Sequence, residues 1–224
     1  MSEKNKVGIV TLYHANYNFG GLLQAYALPV ALEKYLGISA EQIDYVFMPP
    51  EEEKKIKDVV SIKKIIYKFG IMFFNKLEKN NFNKRKRAFE QFMKDIPHSK
   101  RRYEYDSISD SQKKYKNYIC GGDQIWSDNQ QTKWFRNEDL RVFTLQFVPE
   151  QVKKISYAPS MAVLQLTNEF KKEFSIGINR FNAISVREKK SLSVLRRITD
   201  KTITVVVDPV LLLKENDWLS AMQL

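Results

Sequence analysis

The sequence predicts an α/β fold built on a doubly wound, mostly parallel β-sheet. Short apolar runs of strand length alternate along the chain with segments of helical periodicity, a pattern typical of βαβ units. A polar turn that contains two glycines, at residues 14–21, joins the first predicted strand to the first predicted helix. Neighbouring parallel strands need long crossover connections, and the intervening helices supply them.

The predicted elements follow in chain order. Strands are expected at residues 7–13, 42–48, 118–120, 142–147, 154–158, 183–187 and 202–207. Helices are expected at residues 22–36, 167–181 and 189–197, and a further helix is expected to start at Trp218 after an N-cap at Asp217. Gly37 is expected to terminate the first helix, and Pro29 to kink it.

A basic stretch interrupts this alternation. Residues 54–102 contain sixteen Lys and Arg against four acids, a local net charge of +12 in a chain whose total is +11. Within it, Ile62, Ile65 and Phe69 recur at helical spacing, with lysines on the other side. We therefore expect residues 1–210 to form one domain with a basic helical insertion at about 51–102, and residues 211–224 to begin a linker toward a further domain.

Two interpretations of the basic helix stay open. Its apolar stripe can pack on the domain with the lysines in solvent, or the helix can lie on an anionic membrane surface. Nucleic-acid binding needs base-reading or stacking groups besides phosphate contacts, and no such motif accompanies the charge. We expect no nucleic-acid partner.

Composition excludes several classes of protein. The chain has 224 residues, of which 43% are hydrophobic, so it is neither collagen-like nor wholly disordered. The single cysteine, Cys120, cannot form an intramolecular disulfide, and with two histidines it cannot build a usual structural zinc site. A polar N-terminal stretch and the lack of any apolar run of about 18 residues predict a cytoplasmic protein, with peripheral contact at the inner membrane face left open.

Polar residues follow several of the predicted strands, where parallel sheets bind their ligands. Backbone N–H groups of residues 16–21 can hold a phosphate or carboxylate at the start of a helix, or the segment can be only a tight turn. Asp123 and Gln124, after Gly121-Gly122, can contact sugar hydroxyls or close an Asx-turn over a buried Trp126. Gly20-Gly21 in the first of these segments does not make a dinucleotide fingerprint.

Three further residues stand at strand ends. Arg187 can grip a carboxylate or phosphate in bidentate fashion, or pair with Glu188 or another acid. His14 is either a hydrogen-bonded structural residue or an acid–base group. Asp208, before Pro209, is interpreted as a rigid exit turn with a structural role.

Five motifs occur in order along the chain: HANYNFGGLLQAYAL from residue 14, GGDQIW from 121, ISYAPS from 155, SVREK from 185 and VVDPVLLL from 206, with Trp218 beyond them. Together they resemble the polysaccharide pyruvyl transferase family, along nearly the whole chain. The resemblance implies a Rossmann-like sheet like the N-terminal half of a GT-B-type transferase. It also implies transfer of pyruvate from phosphoenolpyruvate to a sugar of a cell-surface polysaccharide precursor.

The resemblance assigns roles to residues of this chain. Its implied substrate-binding residues are Asn18, Gly20, Gly21, Gly121, Gln124, Ser156, Tyr157 and Arg187. The candidates for acid–base catalysis are His14, Asp123 and Glu188. Arg187 is the residue expected to hold the phosphate or carboxylate of the donor.

Phosphoenolpyruvate is a substrate in this scheme, so no cofactor is expected; Mg²⁺ is compatible with a phosphate donor, but nothing in the sequence indicates it. The acceptor is expected to be a saccharide, with lipid linkage left open. In the family a further motif with Arg and His lies in a C-terminal half, so we expect this 224-residue form to be an incomplete catalyst. The alternatives are another GT-B-like glycosyltransferase that uses a nucleotide sugar, and a non-catalytic binding remnant.

Overall fold

A computed structural model describes residues 6–13, 18–47, 84–132, 136–161 and 164–221. The chain divides into two compact units, one formed by Met1–Pro50 with Asp95–Leu224 and the other by Glu51–Lys94. In the second unit the described part, from residue 84, is helical. The expected amphipathic helix around residues 62–69 lies outside the described residues.

The first unit is built on a parallel sheet of seven strands, which confirms the predicted fold class. The strands are β1 (Val7–Val10), β2 (Ala40–Tyr45), β3 (His98–Tyr103), β4 (Asn117–Gly121), β5 (Lys153–Tyr157), β6 (Ala183–Val186) and β7 (Ile203–Val205). Their order in the sheet is β3-β2-β1-β4-β5-β6-β7. The chain thus moves outward in one direction from β1 and in the other from β4, so the topological switch point lies between these two strands.

The described helices are α1 (Phe19–Leu36), α2 (84–95), α3 (Asn129–Thr132), α4 (Asn137–Phe143), α5 (Asn168–Ile178), α6 (Lys189–Leu195) and α7 (Glu215–Ala221). Two 3₁₀ helices, Tyr105–Lys113 and Pro209–Leu212, complete the described helical segments. Among the described residues, no helix combines the length and the apolar character that crossing a membrane requires.

Side chains of the central strands alternate between two apolar clusters, as the period of a β-strand requires. Ile9 and Ile119 belong to a small cluster that includes Leu28 of α1. Val10 and Cys120 belong to the large cluster on the other face, which contains residues of α4 and α5. Both faces of β1 and β4 are therefore covered.

The start and end of α1 follow from two residues. The side chain of Asn18 accepts a hydrogen bond from the N–H of Gly21 at 3.3 Å and caps the helix. Gly37 ends it with φ = 64°, a left-handed conformation that glycine adopts without steric cost, which confirms the predicted helix end. Gly20 and Gly21 belong to the first turn of the helix rather than to a turn before it.

The predicted strand over residues 142–147 is wrong. Its first two residues end α4, which begins where the carboxylate of Asp139 accepts a hydrogen bond from the N–H of Arg136 at 2.9 Å. Leu145 then turns the chain with φ = 54°. The apolar run is buried, but it is buried as a helix end and a turn.

β3 is a strand that is not predicted from the sequence, which instead predicts a basic helical insertion over this part of the chain. β3 pairs only with β2 and has mostly exposed side chains, with Ser99 and Tyr103 buried. Because Lys and Arg occupy its exposed positions, its composition gives little sign of a strand.

The last helix also starts earlier than expected. α7 begins at Glu215, and Asp217 lies in its first turn, where it accepts a hydrogen bond from the N–H of Lys214 at 3.0 Å. The same carboxylate contacts Lys34 and the hydroxyl of Tyr35 on α1, so α7 is anchored on α1.

Candidate functional site

The candidate site is centred on Arg187, the first residue after β6. Its guanidinium donates hydrogen bonds to the carboxylates of Asp123 at 2.7 Å, Glu188 at 2.6 Å and Asp208 at 2.9 Å. Asp123 follows β4 and Asp208 follows β7, so one side chain joins the carboxyl ends of three strands. We call these four residues the Arg187 cluster.

The Arg187 cluster has an excess of two formal negative charges, since three carboxylates surround one guanidinium. Burial by itself would lower the pKa of Arg187, but the hydrogen bonds to Glu188, Asp123 and Asp208 raise the pKa well above its ordinary value. The guanidinium is therefore a permanent cation, and each of its three nitrogens donates to a carboxylate.

The loops after β4 and β5 support Asp123 from one side. The hydroxyl of Ser160 donates to Asp123 at 3.1 Å and accepts from the N–H of Gln124 at 2.8 Å. Gln124 and Ala158 have φ values of 57° and 51°, and only one other described non-glycine residue has a positive φ. Strained backbone of this kind persists where the surrounding structure holds it, and it concentrates at functional sites.

Close packing of backbones explains the two glycines after β4. A Cβ on Gly121 would lie 2.0 Å from the carbonyl oxygen of Tyr157, and one on Gly122 would lie 2.3 Å from Oγ1 of Thr11. Gly122 also has φ = 111°, which side chains rarely allow. Both glycines let strand ends approach each other, whether or not a ligand is bound.

The N-terminal part of α1 reaches the cluster through Gln24. Its side-chain amide donates a hydrogen bond to Oδ2 of Asp208, the same oxygen that accepts from Arg187. The structure thus brings together the predicted site residues Asp123, Arg187 and Glu188 and adds Gln24 and Asp208.

Neither Gln24 nor Asp208 is predicted from the sequence to belong to the site. From the sequence, Asp208 is interpreted as part of an exit turn, and Oδ1 does accept from the N–H of Val210 at 2.9 Å, as a helix cap would. The other oxygen has the role that the sequence does not predict. Gln24 had one visible signal, because it is a polar residue in an otherwise apolar helix segment that is buried.

The remaining predicted residues lie around this centre in different ways. Asn18, Gly20 and Gly21 form the first turn of α1, and Asn18 and Gly20 are exposed. Trp126 is buried, and its ring N–H donates to the carbonyl of Phe143 at 3.1 Å, so it belongs to the core. His14 lies outside the described residues.

Ser156 and Tyr157, which the resemblance assigns to the substrate, have structural contacts. The hydroxyl of Ser156 donates to the carbonyl of Ser185 and accepts from its N–H, both at 3.0 Å, so it joins β5 to β6 inside the sheet. Tyr157 packs against the apolar cluster under α1, and burial raises the pKa of its hydroxyl. The negative charge of Asp208 raises the pKa of the Tyr157 hydroxyl further.

The described residues contain no group of three or more His, Cys, Asp or Glu side chains arranged to hold a metal ion. The three carboxylates of the cluster direct their oxygens at Arg187 instead. Cys120, next to the site in sequence, is fully buried, and burial raises the pKa of its thiol well above the ordinary value, which makes the thiol unreactive.

One of three comparisons with known proteins found a match. Searches of curated proteins and of solved structures returned no match. A comparison with models of protein families matches residues 18–223 to the polysaccharide pyruvyl transferase family. The matched range covers most of the chain and includes the first turn of α1, the Arg187 cluster and α7, which confirms the resemblance noted in the sequence. The chain therefore belongs to the polysaccharide pyruvyl transferase family and is a transferase enzyme.

Proposed function

We propose that the protein transfers a pyruvyl group from phosphoenolpyruvate to a sugar of a cell-surface polysaccharide precursor, with the Arg187 cluster in one wall of the active site. The observation that carries this proposal is the contact between Asp123, from one motif, and Arg187 and Glu188, from another. They meet at the carboxyl edge of a parallel sheet, close to its topological switch point, where such sheets bind ligands.

The reaction needs an acid and a base. Protonation of the methylene carbon of phosphoenolpyruvate creates cationic character at the neighbouring carbon, which a sugar hydroxyl attacks while a base removes its proton. Loss of inorganic phosphate and attack by a second hydroxyl complete a ketal. His14, Asp123 and Glu188 are the candidate acid–base groups.

Asp123 and Glu188 are suited to the role of base. Each side chain is more than a third exposed, so a hydroxyl can reach it. A hydrogen bond from Arg187 fixes the geometry of Asp123, whereas Glu188 is placed next to the donor that takes its position on Arg187. A negative carboxylate near the reacting carbon also stabilises the positive charge that develops there.

Donor binding by Arg187 requires an exchange of partners. Each of the three guanidinium nitrogens donates to a carboxylate, and we propose that the phosphate or carboxylate of phosphoenolpyruvate displaces one of these carboxylates. Glu188 has the most exposed of the three side chains, and it is the partner that we propose to leave. The N-terminus of α1, where Gly20 is exposed, offers a second position for an anion.

Thermal unfolding of the 224-residue chain tests the donor. Phosphoenolpyruvate at 100 times its Kd is expected to stabilise the fold by about 2.7 kcal/mol. Inorganic phosphate and pyruvate, added separately at the same concentration, are expected to stabilise it less. A nucleotide sugar that raises Tm while phosphoenolpyruvate does not would favour a different GT-B-like glycosyltransferase, and stabilisation by neither would favour a binding remnant.

The exchange of partners is tested with Glu188→Gln. Removing this charge frees one edge of the guanidinium, so the variant is expected to bind phosphoenolpyruvate more tightly than the wild type. Glu150→Gln is the matched control, because Glu150 also pairs with an arginine but is exposed and far along the chain from the cluster. Weaker binding of phosphoenolpyruvate by Glu188→Gln alone would contradict the exchange.

We also propose that a lipid-linked acceptor brings the protein to an anionic membrane surface. Exposed Lys84, Arg85 and Arg87 on α2 are the described part of the basic stretch that supports this. Sedimentation with anionic and with neutral vesicles tests the idea. Equal binding to both kinds of vesicle, or binding to neither, would contradict it.

A further inference from the structure

Gln24 of α1 has a buried carbonyl oxygen with no hydrogen-bond partner among the described residues. The side chain is 6% exposed, and its amide nitrogen donates to Asp208. A glutamine amide offers donors at its nitrogen and an acceptor at its oxygen. Because the carboxylate of Asp208 accepts hydrogen bonds, the amide nitrogen faces Asp208 and the oxygen faces away from it. The oxygen is turned away from Asp208 and lacks a donor, which is costly for a buried acceptor.

This oxygen lies at the switch point of the sheet. It is 3.6 Å from the position that a Cβ on Gly122 would take, and Oγ1 of Thr11 is 2.3 Å from the same position. Thr11 follows β1 and Gly122 follows β4, the two strands between which the topology reverses. The unpaired oxygen is therefore buried beside the carboxyl ends of β1 and β4, the part of the sheet where folds of this kind receive ligands.

The charges nearby restrict what can approach. Asp208, which holds the amide of Gln24, belongs to a cluster with an excess of two negative charges. An anion at the Gln24 oxygen would be repelled by the partial negative charge of the oxygen itself and by the carboxylate of Asp208 beside it, whereas a donor anion at Arg187 meets the positive charge of the guanidinium. The group that approaches must therefore carry no negative charge and must donate a hydrogen bond to the oxygen. A sugar hydroxyl does both.

We propose that Gln24 is a contact residue for the saccharide acceptor, with its side-chain oxygen accepting a hydrogen bond from one sugar hydroxyl, and that Asp208 is the positioning residue that orients the amide. This inference rests on the proposed function, because it takes the acceptor to be a saccharide. It places the acceptor at the β1–β4 crevice, beside the carboxylate of Asp123 that can take a hydroxyl proton.

The test measures sugar binding to the full 224-residue chain without phosphoenolpyruvate. The probes are the methyl pyranosides of galactose, mannose, glucose and N-acetylglucosamine, titrated by saturation-transfer NMR. For the glycoside with the lowest Kd, the full set of monodeoxy analogues follows. Removal of one particular hydroxyl is expected to raise Kd about tenfold or more in the wild type, since a site built to bind a hydroxyl rejects the analogue that lacks it.

Variants identify the protein partner of that hydroxyl. Gln24→Met is expected to raise Kd of the glycoside about tenfold and to make the same hydroxyl irrelevant, so that the parent and the deoxy analogue bind alike. Gln112→Met is the matched control: its amide donates to the carbonyl of Phe147 at 2.7 Å, and its loss is expected to leave Kd unchanged. Asp208→Ala is expected to abolish the hydroxyl dependence, and Asp208→Asn, which keeps an acceptor for the Gln24 amide, to restore it.

The inference is overturned if no glycoside of the panel binds the wild type, if all monodeoxy analogues bind as the parent does, or if Gln24→Met keeps the preference for that hydroxyl. The deoxy series needs only the wild-type protein, so the test stands even if a variant does not fold. Donor binding is measured separately by the response of Tm to phosphoenolpyruvate. The donor proposal can thus fail while the acceptor contact holds, and the reverse.

Discussion

Buried charges in this protein depend on partners from distant parts of the chain, and Glu41 is the clearest case. Its carboxylate, at the start of β2, accepts hydrogen bonds from Lys6, Lys114 and, at 2.6 Å, the hydroxyl of Tyr115. Burial alone would raise the pKa of Glu41, but these three hydrogen bonds outweigh it and lower the pKa below 4.5. The ionised form therefore stabilises the fold.

We expect Glu41→Gln to lower the free energy of unfolding by about 2 kcal/mol at pH 7, because two lysines lose a buried partner. Since the pKa is lower in the folded state, the carboxylate contributes its full stability above the pKa of the unfolded chain, and this contribution is lost as pH falls through the folded pKa. The difference between wild type and variant is thus expected to shrink below about pH 4. Urea titrations between pH 7 and pH 3 measure it.

Glu150→Gln serves as the control for Glu41→Gln. Glu150 pairs with Arg180 at 2.5 Å but is largely exposed, and an exposed ion pair contributes little to the free energy of unfolding. Equal losses of stability in the two variants at pH 7 would show that burial of Glu41 is irrelevant and would contradict the argument.

A second prediction at single residues concerns Tyr45 and Asp139. The hydroxyl of Tyr45 donates to the buried carboxylate of Asp139 at 2.5 Å, and burial raises the pKa of Asp139 despite this hydrogen bond. Tyr45→Phe is expected to cost about 2 kcal/mol at pH 7, since a buried carboxylate loses a donor. Without that donor the pKa of Asp139 rises further, so the cost is expected to fall as pH is lowered from 7 toward about 5.

Tyr118→Phe is the matched comparison for Tyr45→Phe. The hydroxyl of Tyr118 is also buried, but it pairs with the neutral hydroxyl of Ser111 at 2.9 Å. Its loss is expected to cost about 1 kcal/mol at every pH in this range. A Tyr45→Phe cost that is independent of pH, like that of the comparison variant, would contradict the role assigned to the charge of Asp139.

Among the helices and strands, the sequence predicts best where local chemistry agrees with burial. Gly37 marks the end of α1, and Thr167 caps α5 by accepting from the N–H of Phe170 at 3.3 Å, as a helix start requires. Residues 142–147 mislead because an apolar run signals burial but not the type of element. β3 is missed because an edge strand in a basic stretch has little apolar alternation to show.

The candidate site divides in the same way. Asp123, Arg187 and Glu188 are predictable, because each stands at the end of a strand and parallel strands end at one edge. Gln24 joins the site because its side chain reaches Asp208 from α1. Asp208 reaches Arg187 because β7 pairs with β6. Such long-range contacts follow from packing and cannot be deduced from residue spacing.

A further prediction concerns Gly122 in the turn after β4. Gly122→Ala combines a left-handed φ of 111° with a Cβ that would lie 2.3 Å from Oγ1 of Thr11. We expect it to lower the free energy of unfolding by about 3 kcal/mol and to weaken sugar binding, because Thr11 must move. Chemical denaturation and the glycoside titration measure the two effects.

Gly37→Ala separates the two causes of that loss. Gly37 also has a left-handed conformation, but no atom lies within 4 Å of the position of its Cβ. Gly37→Ala is expected to lower the free energy of unfolding by about 1 kcal/mol, from backbone strain alone, and to leave sugar binding unchanged. If the two alanine variants are equally stable, the close approach of Thr11 to Gly122 has no energetic consequence.

In the whole sheet, stability should decrease from the switch point to the edges. β1 and β4 pair with strands on both sides and are buried on both faces. β7 is a three-residue strand with mostly exposed side chains that, among the described strands, pairs with β6 alone. Local opening of β7 breaks few contacts, whereas opening of β4 breaks many, so opening of β4 costs more free energy. The loops that carry Arg187 and Asp208 therefore extend from the less stable half of the sheet.

Native-state amide hydrogen exchange, followed by mass spectrometry of peptides, tests this gradient. Exchange is expected to be slowest in β1 and β4, intermediate in β3, a longer edge strand with Tyr103 buried, and fastest in β7. Arg187→Ala removes the contact between the ends of β4, β6 and β7, so it is expected to accelerate exchange in β7 and to leave β1 unchanged. Arg101→Ala, which removes an exposed ion pair with Asp110, is the control and should alter neither strand. Exchange in β7 as slow as in β4, or unaffected by Arg187→Ala, would show that the cluster does not hold the edge of the sheet in place.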